Sequence, residues 1–138
     1  MKTTELSEQL LELARKMDSL DIEALREFLQ RPLADGERLD QALSRSGLLT
    51  EEQLLELFGR YLGIEVLEEL DPEQVPVEFI AEIPAAYAQN HSLVALERNE
   101  STITIVSSDP LSFYPIDTIA KQLGRPVKTA LAIRATIS

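Results

Sequence analysis

Leucines recur at helical spacing through the first 62 residues of the chain. Leu6, Leu10, Leu13, Ala14 and Met17 share one face at a 3.6-residue period, and Ile22, Leu25, Phe28 and Leu29 make a second face. Arg31-Pro32-Leu33-Ala34-Asp35-Gly36 interrupts the period. A third helix is expected from about Glu37, with Leu39, Ala42 and Leu43 inward and Gly47 as its stop. Thr50-Glu51-Glu52-Gln53 has the form of a capping box, so a fourth helix begins at Thr50. Its inward residues are Leu54, Leu57, Phe58, Tyr61 and Leu62, and Gly63 ends it. Residues 1–62 therefore read as a helical lobe of two αα-hairpins, 1–34 and 35–62.

The two hairpins echo each other at an offset of 29 residues: Leu10 with Leu39, Ala14 with Leu43, Asp21 with Thr50, Leu25 with Leu54, Glu27 with Glu56. In each copy leucines flank the capping residue as a hydrophobic staple requires, Leu20 with Leu25 and Leu49 with Leu54. A shared geometry explains this, and so does the register that any two amphipathic hairpins adopt.

Beyond Gly63 the period changes. Residues 64–67 are a short strand candidate, and Asp71-Pro72 opens a turn of helix that Pro76 cuts short. A short helix is expected over 84–90. Residues 93–98 and 101–107 read as a hairpin about Asn99-Glu100, with Thr102 and Thr104 alternating against Ile103 and Ile105. Asp109-Pro110 reads as an N-cap and first helical residue, a helix over 114–123 ends at Gly124, and Val127–Leu131 is the last strand. The chain is thus α+β, its second part (63–138) a small sheet with packed helices in the order β-(α)-α-β-β-α-β. Residues 132–138 look like a helix that has only begun, as in a chain cut from something longer.

Composition narrows the function. A hydrophobic content of 44% with 27% charged residues belongs to a globular protein. The net charge is −11, of which −8 falls in residues 1–70. Without a Lys/Arg cluster such a surface repels phosphate backbones and anionic lipid, so no nucleic-acid partner is expected. The chain has no cysteine, which removes disulfides, thiolate metal sites and a cysteine nucleophile. Its N-terminus lacks the apolar stretch of a signal peptide, and no run approaches the ~18 apolar residues that span a bilayer. A cytoplasmic location follows as an expectation, with any membrane association made through a partner and none by direct insertion.

Catalytic signatures are missing from the sequence. The five glycines are scattered and no Gly-Lys-Ser/Thr occurs, so there is no phosphate loop. The single histidine, His91, closes a short helix before a strand, where a dipole contact or plain exposure explains it. Adjacent carboxylates such as Glu51/Glu52 and Glu68/Glu69 point to different faces and make poor acid–base pairs. Ser107-Ser108-Asp109-Pro110 resembles a nucleophile loop but has no base beside it in the sequence. No catalytic residue, cofactor or metal site is assigned.

Two groups of motifs carry a resemblance. The first is Arg38-Leu39-Asp40-Gln41-Ala42-Leu43, then Gly47-Leu48-Leu49-Thr50-Glu51-Glu52-Gln53-Leu54, then Tyr61-Leu62-Gly63. The second is Ile83-Pro84, Tyr87-Ala88, His91, Leu93-Val94, Ile105-Val106 and Asp109-Pro110. Together, over about 38–133, they resemble the N-terminal domain of the hexameric ATPases of type II secretion and type IV pilus assembly. The resemblance implies a non-catalytic domain that recruits the ATPase to the cytoplasmic domain of an inner-membrane assembly protein. It also implies that ATP and Mg belong to a catalytic core beyond residue 138.

A related branch of these domains binds cyclic di-GMP through tandem Arg-Leu-Gly…Gly…Leu…Gln patterns. Arg38, Leu39, Leu43, Gly47, Leu48 and Leu54 match one copy, but Asp40 stands at the glycine position and Tyr61 at the glutamine. The first repeat has Gln9 opposite Arg38 and Asp18 opposite Gly47. An aspartate about 4 Å from a ligand phosphate costs on the order of 1–4 kcal/mol, or roughly five- to several-hundred-fold in affinity. For partner docking the candidates are Arg38, Arg45 and Arg60, as rim contacts or as solubilising charges, and Phe113 and Tyr114 as exposed aromatics.

Overall fold

The computed structural model describes residues 2–99, 102–111 and 113–137, apart from the side chains of residues 2–4 and 113. The chain divides into two compact units, Met1–Gly63 and Ile64–Ser138.

The first unit holds four helices: α1 (Lys2–Ala14), α2 (Ile22–Leu29), α3 (Leu39–Ser46) and α4 (Glu51–Leu62). Their starts are set by capping. Asp21 Oδ1 accepts the Ala24 N–H at 3.1 Å and Thr50 Oγ1 accepts the Gln53 N–H at 3.1 Å, the same N3 position in both repeats. Gln53 returns the bond by accepting the Thr50 N–H at 2.9 Å, which completes the expected capping box. Helix α3 starts at Leu39, two residues later than expected, and closes on Gly47 at φ +78°, a left-handed conformation that a Cβ would strain.

Helix α1 packs against both α2 and α4, so the two hairpins share one core. Leu10, Leu11, Ala14, Leu25, Leu43, Leu55, Leu57 and Phe58 fill it. Leu55 is fully buried although the simple leucine stripe omits it, because α4 is contacted by α1 and α3 together and its buried arc widens. Tyr61, expected inward, is 37% exposed. It shares the angle of Leu54 and Phe58 but lies in the last turn, where a long amphipathic side chain can keep its hydroxyl wet.

The second unit is a four-stranded mixed sheet with strand order β1-β4-β3-β2. Strand β1 is Glu65–Val66, β2 is Leu93–Leu96, β3 is Ile103–Ser107 and β4 is Val127–Leu131. β2 and β3 pair antiparallel, Ala95 opposite Ile105, while β3–β4 and β4–β1 are parallel. The crossover between β3 and β4 is helix α7 (Phe113–Leu123), and α8 (Arg134–Ile137) follows β4. The turn of the hairpin about Glu100 lies outside the described residues.

Both faces of the sheet are covered, which is why β3 is buried at every position rather than at alternate ones. Ala95, Ile103 and Ile105 pack with Phe79, Ile83, Ile116 and Ile119. Leu96, Val106, Ala130 and Ala132 form the other cluster, covered by Leu67, Leu70, Val75 and Ile137.

Two sequence expectations change here. Pro76 does not end a helix; with φ −72° and ψ 148° it caps the start of α5 (Val77–Glu82), an element absent from the sequence reading. It comes after the single 3₁₀ turn Pro72–Gln74 and before α6 (Ala85–Asn90). Asp109-Pro110 does not start α7 either, since that helix begins at Phe113. The Asp109 carboxylate instead meets Arg134 at 3.5 Å, and its N–H bonds Ser107 Oγ at 3.0 Å in a hydroxyl-supported turn.

Candidate functional site

Arg38 is the N-cap residue of α3, and its side chain does not cap. Its guanidinium turns instead onto the carboxylate two residues on, with Nε 3.1 Å from Asp40 Oδ1 and Nη2 3.3 Å from Oδ2. Asp40 is 2% exposed while Arg38 keeps about a third of its side chain in solvent. A buried carboxylate needs such a two-pronged partner, because stripping its water without one is costly. Arg38 is therefore committed within the chain, and the residue that holds it is the one occupying the glycine position of the nucleotide-binding pattern.

The remaining members of that pattern divide by burial. Leu43 and Leu54 are core, at 0% and 6% exposure, and cannot face a ligand without rearrangement. Leu39 and Leu48 are half-buried. Gly47 is accounted for by its left-handed helix closure, and the space around it is open.

A cavity of about 320 Å³ opens between the end of α2, the 31–37 loop and α3. Phe28, Pro32, Leu33, Leu39 and Arg45 are among its lining. The Arg31 guanidinium lies over the Phe28 ring at 6.0 Å, and Arg45 pairs with Glu37 across the mouth. The structure thus brings Leu39 and Arg45 to one cavity but leaves Arg38, Leu43, Gly47, Leu48, Leu54 and Arg60 off its wall. Arg60 pairs with Glu56 at 3.0 Å, one helical turn away.

In the α/β unit Tyr114 is 81% exposed at the start of α7. The side chain of its neighbour Phe113 lies outside the described residues. His91 follows the last residue of α6 with its ring 4.5 Å from that of Tyr87. Ser107 Oγ is occupied by the Asp109 backbone, and Ser108 Oγ is buried with no hydrogen-bond partner among the described residues. No group of three His, Asp or Glu among the described residues is arranged to hold a metal. No helix of the described residues is long and apolar enough to cross a membrane.

One feature escaped the sequence reading because its helix did. Val77 and Ile80 of α5 are 77% and 70% exposed. The signal was present: between residues 75 and 88 the only charged side chains are Glu78 and Glu82.

Comparison with known proteins gives these surfaces a context. The chain is 26% identical over 107 residues to bacteriophage adsorption protein B of Escherichia coli K12, covering 78% of this chain and 14% of that protein. It is 22% identical over 132 residues to the type IV pilus assembly ATPase PilB of Myxococcus xanthus, covering 96% of this chain and 23% of PilB. It spans less than a quarter of either relative's length. Among solved structures, MshE with cdg superposes at a TM-score of 0.66 and 22% identity, covering 93% of this chain and 92% of that one. The N-terminal domain of XpsE superposes at 0.63 and 18% identity, covering 94% and 88%. The expected kinship with secretion and pilus ATPase N-terminal domains is borne out, and so is the α+β fold. Residues 62–138, more than half of the chain and nearly all of its α/β unit, match the model of the MshEN domain, and the chain belongs to the MshEN domain family.

Proposed function

We propose that this chain is the non-catalytic docking domain of a secretion or pilus-assembly ATPase, recruiting it to the cytoplasmic domain of an inner-membrane assembly protein. The observation that carries this reading is the engagement of Arg38 by buried Asp40. It removes the cation best placed to take an anionic ligand and leaves a helical scaffold whose exposed groups suit protein contact. ATP and Mg would belong to the hexameric parent, whose phosphate loop would lie beyond residue 138, and membrane association would run through the partner. The kinship with PilB supports an ATPase parent. The likeness to a bacteriophage adsorption protein supports a domain that serves different parents. Co-purification of the chain with the assembly protein's cytoplasmic domain tests the reading; no retention at tens of micromolar opposes it.

A second reading rests on MshE, solved with cdg on the same fold, which points to cyclic di-GMP. Leu39 and Leu48 retain a half-buried frame for such a ligand beside the α2–α3 cavity. Calorimetry with cyclic di-GMP decides it: saturable micromolar binding lost on Arg38→Ala favours sensing, and a flat titration removes it.

A further inference from the structure

Helix α5 is apolar on two sides. Phe79, within it, and Ile83, which closes it, are each 7% exposed and belong to the sheet core. Val77, Ile80 and Ala81 repeat at i, i+3 and i+4 on the outer side, all exposed. A helix apolar around most of its circumference is ordinarily covered on both sides. Single exposed hydrophobics are commonplace, whereas a row at helical spacing marks an interaction surface. The row continues through exposed Pro84, Ala85 and Ala86 into α6. Beside it lies a groove of about 170 Å³ walled by Ile83, Pro84, Tyr87, Thr118 and Gln122.

Charge indicates what covers this face. From Tyr61 to Glu97 the chain has eight carboxylates and not one Lys or Arg. Helices α5 and α6 carry Glu78 and Glu82 and no cation. Arg125 reaches Glu78 at 3.2 Å and also pairs with Glu97, while Glu82 stays exposed at the edge of the apolar row. A second copy of this chain would set acidic surface against acidic surface, which like-charge repulsion opposes. Anionic lipid and nucleic acid fail on the same ground.

We infer that the outer face of α5, with the groove beside it, receives an amphipathic helix of a partner polypeptide. Its apolar side would cover Val77 and Ile80, and Lys or Arg on its flank would meet Glu82. A helical ridge seats in the groove between ridges of a second helix, which is why a helix rather than an extended strand fits here. This inference rests on the docking reading and names the surface and the partner's chemistry.

The test uses the full chain and two variants, Val77→Ser/Ile80→Ser and Glu82→Lys, each compared with the parent chain by thermal unfolding. The first probe is the assembly protein's cytoplasmic domain, titrated at low salt and at about 0.5 M salt. The double serine variant should lose about tenfold or more in affinity. Glu82→Lys should lose affinity several-fold at low salt and little at high salt, as a screened rim contact does. If the parent chain binds and both variants bind equally well, the surface is wrong and docking stands. The second probe, a synthetic Leu/Lys amphipathic helix, reads the surface even if the assembly protein does not bind and the docking reading fails. Amide shifts gathered on residues 77–87 and lost in the double serine variant support the inference. Shifts absent or scattered over both units overturn it, as does concentration-dependent dimerisation abolished by the serine substitutions.

Discussion

The Arg38 guanidinium holds both carboxylate oxygens of Asp40, at 3.1 and 3.3 Å, across the first turn of α3. Local sequence sets this contact, since the cation occupies the N-cap and the anion the second helical residue. Because Asp40 is 2% exposed, the two residues are unequal in what their loss does. Arg38→Ala leaves a buried carboxylate without its counter-ion and should destabilise the chain by about 1–3 kcal/mol. That is below the ~3–5 kcal/mol of a fully buried pair because Arg38 is one-third solvated. Asp40→Asn should cost less, and the order of the two in urea unfolding checks the arrangement.

The caps of α2 and α4 offer a matched comparison. Both Asp21 and Thr50 accept the N3 amide at 3.1 Å, but only Thr50 has a glutamine that bonds back. Thr50→Ala should cost about 1–2 kcal/mol and Asp21→Ala about 0.5–1.5 kcal/mol. Gln53→Ala should remove only a fraction of the α4 value. Urea midpoints at constant slope would show it.

Adjacent positions on α5 should behave in opposite ways. Phe79→Ala opens the core beneath the sheet and should cost about 3–5 kcal/mol. Ile80→Ser, one residue on and 70% exposed, should change stability by no more than about 0.5 kcal/mol. A large loss from Ile80→Ser would mean that the outer face is already covered within the chain.

How much of this was legible in the sequence follows from which interactions are local. Caps, glycine closures and the strand Val127–Leu131 depend on a few neighbouring residues, and each stands where the pattern places it. Helix α5 was lost because proline reads as a stop when only its effect on the preceding residues is considered; as the residue before a helix it is a start. Leu55 and Tyr61 were misjudged because burial on α4 is decided by two other helices and by distance along the axis, which periodicity does not encode. The candidate arginines were visible as residues but not as ion pairs. Asp40 was recognised as a departure from the nucleotide-binding pattern, while its grip on Arg38 required the structure.

Arg125 gives a prediction about pH. Hydrogen bonding to Glu97 foremost, with Glu78 adding to it, raises its pKa above the ordinary arginine value. A cation whose folded pKa is raised contributes stability that is fully present below its unfolded pKa and is lost only as pH climbs through the folded one. That window lies above any working pH. The melting-temperature decrease caused by Arg125→Met should therefore be the same at pH 7 and pH 9, and thermal unfolding at both values tests it.

The central claim is that this MshEN-family domain docks a protein and does not read a nucleotide. It is tested most directly by titrating the chain with the assembly protein's cytoplasmic domain, in the absence and then in the presence of saturating cyclic di-GMP. The account predicts one saturable interaction at tens of micromolar or tighter, with the same affinity in both titrations. No binding without the nucleotide, or binding that appears or vanishes with it, would contradict the account.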